Sequence, residues 1–148
     1  MTSSSRDRYA DLGLLIMRVG VGSAFIWYLG SAKFAGGPQV LTDTGKAVSH
    51  FGLNSGFYWW GLLAASAETL GGLCLILGLL FRPATLAMFA TMIVATVEQY
   101  TRPMPVPVHS IVDAFVFLGL FIIGPGSYSL DRLLFARSRE RTAGSQVT

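Results

Sequence analysis

Charge is the first thing this chain is short of. Asp, Glu, Lys and Arg make up 13% of its 148 residues, against about a quarter in a soluble domain. A surface facing water on all sides needs more charge than this; a surface facing lipid needs none. The net charge of +3 is small and unevenly spread, since four of the eleven basic residues are Arg132, Arg137, Arg139 and Arg141. That argues against nucleic acid as a partner.

Cysteine is nearly absent. Cys74 stands alone in an apolar run, which excludes an internal disulfide, a CxxC redox pair and an iron–sulfur cluster. There are two histidines. His50 falls in a link between apolar segments, so well-placed haem ligands are lacking. No Gly-rich phosphate loop is present. Glu98, His109 and Asp113 have the chemistry to touch a metal, but their spacing matches no strong metal signature. The expectation is therefore no metal site and no encoded cofactor.

What the chain has is apolar length. Hydrophobic residues are 52% of the total, and there are 17 glycines, a residue that lets helices approach closely in lipid. Crossing a bilayer takes about 20 mostly apolar residues. Four segments qualify, at about 12–32, 58–81, 83–100 and 107–123. The first is too long for the ~7–15-residue core of a signal peptide and carries Arg18, so it reads as a spanning helix. The predicted fold is all-α: four transmembrane helices in an up-down antiparallel bundle over residues 12–126. Residues 1–11 form an N-terminal tail and 127–148 a basic C-terminal tail.

Helices 2 and 3 meet at Arg82-Pro83 and must form a tight hairpin, with Pro83 in a first helical turn. Three prolines between Arg102 and Pro107 force an extended link. Gly124-Pro125-Gly126 ends helix 4, and Ser129 is placed to cap a short following helix. Between helices 1 and 2, Val40, Leu41, Val48 and Phe51 recur among Gln39, Asp43 and Lys46, and Gly52 offers a stop. This predicts a short amphipathic helix at the membrane surface. Arg6, Arg8, Arg82 and the four tail arginines fall on one side; Lys33, Lys46 and Arg102 fall on the other. The arginine-rich side is expected to be cytoplasmic, with both termini inside, in the inner membrane of a bacterium.

Ionisable residues in hydrocarbon cost about 2.5–3.5 kcal/mol each on insertion scales and usually face a partner. Arg18 lies roughly 6 Å to the cytoplasmic side of the middle of helix 1, and Glu68 within roughly 2 Å of the middle of helix 2. A buried Arg18–Glu68 polar network is expected, serving packing or chemistry. His109 and Asp113 share one face of helix 4, with Glu98 at a similar depth on helix 3. Tyr100, Trp59, Trp60 and Lys33 ring the same rim. These seven residues are the candidate ligand pocket, expected between helices 3 and 4 under a roof from Val40 to Phe51. The aromatics equally suit an interfacial belt. No catalytic residue is assigned. Small residues recur at Gly61, Ala65 and Thr69, at Ala64, Glu68 and Gly72, and at Gly20 and Ala24, a spacing that favours close helix contact.

Arg18-Val19-Gly20-Val21-Gly22, Gly30-Ser31-Ala32-Lys33-Phe34, Ala67-Glu68-Thr69-Leu70-Gly71-Gly72, Leu77-Gly78-Leu79 with Arg82, and Gly124-Pro125-Gly126 with Tyr128-Ser129-Leu130-Asp131 occur in an order that resembles the DoxX family of small membrane proteins. The resemblance runs from about Leu12 to Asp131. It departs where many members carry a histidine near the end of helix 1; Tyr28-Leu29-Gly30 stands there.

The resemblance implies four membrane helices. It also implies association with a quinone-reducing oxidoreductase, or with stress-response complexes whose soluble partners include superoxide dismutase and a sulfurtransferase. The function expected on that basis is an oxidoreductase subunit without its own redox centre that binds quinone and passes protons. The alternatives are a non-enzymatic anchor or scaffold for soluble redox partners, and, more remotely, a small-solute transporter. Membrane lipid and a second copy of the chain are further expected partners.

Overall fold

Runs of Leu, Ala, Phe and Gly with one buried stripe per turn produce helices and, among the described residues, nothing else regular. The structure, a computed structural model, describes residues 3–101 and 108–132. It contains α1 (Ser3–Ala24), a π-helical segment (Phe25–Gly30), α2 (Ser31–Ala35), α3 (Gly37–Gly45), a 3₁₀ helix (Lys46–Phe51), α4 (Phe57–Leu77), α5 (Phe81–Tyr100) and α6 (Val108–Ile123). The stretch Arg8–Ala35, α4 and α5 are each long and apolar enough to cross a membrane. α6 is apolar but has 16 residues, about 24 Å of helix.

The boundaries differ from the sequence expectation where the backbone rather than hydropathy decides. The first helix begins at Ser3 rather than Leu12 and continues to Ala35. α4 stops at Leu77, not Phe81, because Gly78 turns left-handed at φ 64° and its N–H returns to Leu75 O. Leu80 also takes a left-handed conformation, φ 46°. The carboxylate of Asp131 offsets that strain by accepting the N–H groups of Leu80 and Phe81 at 2.9 and 3.0 Å, the orphan donors at the start of α5. The expected proline-rich link, 102–107, and the tail from 133 onward lie outside the described residues.

α1 and α4 pass each other in opposite senses. Gly22 of α1 lies against Gly72 of α4, where a Cβ on either glycine would come within 2.6–2.7 Å of the other's carbonyl oxygen. Nearby, Arg18 meets Leu75 and Ile76, so the chain numbers run in opposite senses. α4 and α5 face each other where Gly71 admits the side chain of Met88. α5 and α6 are tied by Thr96 Oγ1 to Ser110 Oγ at 2.9 Å near one end and by Arg82 over the Phe121 ring near the other. The core consists of Leu14, Phe25, Leu75, Phe81, Met88, Met92, Ala114, Phe117 and Leu120. Phe25 meets Phe117 edge to face at 4.9 Å, joining the first helix to the last.

Gly20 and Ala24 have no role in this contact. Both are exposed, and the face that approaches α4 passes through Gly22 instead. Gly61 admits α3, with Leu41 and Gly45 against it. The amphipathic segment is helical, as its pattern predicts, and ends at Gly52 with φ 82°. Its apolar residues Leu41 and Ala47 are buried.

Candidate functional site

Arg18 and Glu68 are both buried, at 1% exposure each, but they belong to different networks. Arg18 Nε donates to Leu75 O at 2.8 Å, Nη2 to Ile76 O at 3.1 Å, and Nη1 to Pro125 O at 2.6 Å and Tyr128 O at 2.9 Å. Its guanidinium lies 5.5 Å from the centre of the Phe81 ring. The carbonyls of Leu75 and Ile76 sit in the last turn of α4, where intrahelical donors run out and the helix dipole favours a cation. Only a guanidinium offers five donors in a rigid fork. The residue therefore clamps α1, the end of α4 and the Pro125–Tyr128 turn together.

Glu68 pairs instead with Lys33, whose Nζ donates to both carboxylate oxygens. The expected Arg18–Glu68 network is thus replaced by two separate ones. The reason lies in the first helix. It runs past Ala32, and the π segment, closed by Ser31 N–H to Ile26 O, inserts one residue into the helical phase. Gly30 then becomes the buried position. A Cβ there would collide with Thr69, so glycine permits the approach that sets Lys33 beside Glu68.

This pair lines a cavity of about 650 Å³ between α4 and α5. Its walls are small or apolar: Leu63, Ala64 and Ala67 from α4, and Ala87, Ala90, Thr91, Val94 and Ala95 from α5. Val40, Asp43, Thr44, Ala47, Val48 and Phe51 close one side. The sequence predicts a pocket between α5 and α6 under a roof from Val40 to Phe51; that segment instead closes a cavity between α4 and α5. α5 and α6 are closed against each other by Met92, Ser110, Ala114 and Phe117, all buried. Leu63, Ala87 and Ala90 are exposed, so the cavity has a lateral mouth.

Of the seven pocket candidates, Lys33, Trp60 and Glu98 line this cavity; Trp59, Tyr100, His109 and Asp113 do not. On α6 the buried stripe passes through Ser110, Ala114 and Phe117. His109 and Asp113 each precede a stripe residue by one position, about 100° round the helix. His109 is exposed and Asp113 half-buried. Trp59 and Tyr100 are exposed at 68% and 60%, as an interfacial belt would be.

Glu98 has a partner that sequence reasoning set aside. His50, on the 3₁₀ helix, meets Glu98 Oε2 at 2.9 Å, with Thr101 Oγ1 at 3.4 Å. In the sequence the histidine reads as a link residue; its position one before Phe51 in the amphipathic segment is the available signal. On the same segment Lys46 Nζ donates to Asp43 at 2.7 Å and Gln39 adds a second bond, which hold the Asp43 carboxyl below the usual aspartate value. Among the described residues no three His, Cys, Asp or Glu side chains converge as metal ligands, and every buried side-chain N or O has a partner.

A family model described as DoxX matches residues 13–101, more than half of the chain. The chain belongs to the DoxX family. With three helices long and apolar enough to span, this DoxX member is a membrane protein. The match takes in the Arg18 clamp donor, Lys33, Glu68 and the whole cavity wall. Comparison with curated proteins and with solved structures yields no match.

Proposed function

We propose that this DoxX chain is a four-span subunit of a membrane oxidoreductase or stress-response complex, and that its cavity takes a quinone headgroup. The observation that carries this reading is the cavity itself: an apolar slot with a lateral mouth and one charged pair on its wall. Ligand pockets of small molecules occupy about 300–1,000 Å³, with a few polar groups fixing orientation. Lys33 has three donors and places two of them on Glu68, which leaves one for a quinone carbonyl. The alanine walls leave room for a flat ring.

Reduction of a bound quinone to quinol takes up two electrons and two protons. Lys33 on the wall, and Glu98 with His50 at the rim, are the groups able to hold protons there. The electrons come from a soluble redox partner. In this reading α1 with α2, α4, α5 and α6 span the bilayer of a bacterial inner membrane in up-down order. Both termini are cytoplasmic and the α3 segment lies outside.

A second reading has its own support. Lys33 and Glu68 satisfy each other, and no buried polar side chain among the described residues lacks a partner. A scaffold that only anchors soluble redox partners needs no more than that.

The readings separate on quinone content. Protein purified in mild detergent should retain quinone extractable by solvent, and Lys33→Met should lose it while keeping its helical circular dichroism. Protein free of quinone, which also fails to bind added quinone, would favour the scaffold.

A further inference from the structure

At the opposite end of the molecule from the cavity, a second hollow of about 310 Å³ is lined by Arg8, Tyr9, Leu12 and Tyr128. Arg8, Leu12 and Ile16 follow one another at four-residue steps, so they form one stripe along α1. All three are exposed, Leu12 at 47% and Ile16 at 65%. The stripe is a cation followed by an apolar track. Tyr9 and Tyr128 flank the cation and are also exposed.

Among the described residues Arg8 makes no ion pair. Asp11, three residues along α1, has its carboxylate on the backbone N–H of Ser127 at 3.1 Å. Arg132, from the turn after α6, donates to Ser127 Oγ and adds positive charge to the same end. Arg82 adds more from the start of α5. A guanidinium at the head of an exposed apolar track complements a molecule with an anionic phosphate and a hydrocarbon chain.

We infer that Arg8, Tyr9 and Tyr128 hold the phosphate of an anionic phospholipid, with its acyl chain lying along Leu12 and Ile16. The inference rests on the chain's spanning a bilayer, and is independent of quinone.

The test uses the full chain in detergent, titrated with phosphatidylglycerol or phosphatidylcholine and read by native mass spectrometry. Phosphatidylglycerol should bind in preference. Arg8→Gln should reduce that preference about fivefold, the factor equivalent to the ~1 kcal/mol that one basic residue contributes near an anionic surface. Leu12→Ser should weaken phosphatidylglycerol binding by removing the track. Replacing Arg137, Arg139 and Arg141 by Gln should leave the first bound lipid in place. Equal binding of the two lipids, or an Arg8→Gln protein that keeps the preference, overturns the inference. So does displacement of the lipid by millimolar inorganic phosphate with Leu12→Ser unaffected, which would make this a phosphate site. Unchanged thermal midpoints of the variants in phosphatidylcholine confirm that the fold is intact.

Discussion

Arg18 and Glu68 announce themselves in the sequence because charge is so rare in these helices, yet neither one's partner can be read there. Arg18 is satisfied by main-chain carbonyls, and every residue has one of those. Its site exists only because packing brings the end of α4 at Gly78 and the turn at Pro125 together beside α1. Arg18→Ala and Glu68→Gln should therefore destabilise additively, within about 0.5 kcal/mol, as unconnected sites do. Chemical or thermal unfolding of the two single variants and the double variant in one detergent measures this. A large coupling would restore the direct pair. Lys33→Met and Glu68→Gln should couple, because removing one partner strands the other's charge and removing both costs less than the sum, an effect that the partial exposure of Lys33 reduces. Lys33 was legible as a rim residue but not as Glu68's partner. The π segment that re-aims it has no mark in the sequence beyond Gly30.

Hydropathy implies helices, and the described regular structure is helical throughout; where they end and how they face one another is not legible in it. α6 shows the difficulty. His109 and Asp113 share a face, as their spacing requires, but hydropathy does not say which face turns inward. Ser110, Ala114 and Phe117 are buried instead, one position along. The cavity is likewise made by what α4 and α5 omit. Alanines at 64, 67, 87, 90 and 95 read as ordinary helix formers, and only the assembled pair shows that they leave a slot. Filling it should separate packing from binding. Ala90→Leu projects three added carbons into open space and keeps good helix propensity, so the thermal midpoint should hold or rise slightly. Quinone retention, measured by solvent extraction, should fall at least about tenfold. Retention at the parent level would mean that the slot is not where quinone sits.

On the scale of the whole molecule, charge is sorted by end. Arg82 and Arg132 lie at the end where Asp131 reaches the start of α5 and Asp11 reaches Ser127, and Arg8 borders the hollow there. Lys33 and Lys46 lie toward the cavity end. Basic residues near helix ends resist translocation, so the arginine end should stay in the cytoplasm. In the proposed topology of four crossings, the N-terminus and the C-terminal tail would then share that side. The glycine-rich link at residues 52–56 must lie on the other. Single cysteines placed at Ser4, Ser55 and Ser145 in a Cys74→Ala background report the side directly. In intact cells a membrane-impermeant maleimide should modify the Ser55 position alone; after permeabilisation all three should react. Three crossings would put the two termini on opposite sides, so that one of Ser4 and Ser145 would label in intact cells. An inverted bundle would expose both and hide Ser55. Each topology gives a different pattern, and only protection of both ends fits the sorting of arginine and lysine.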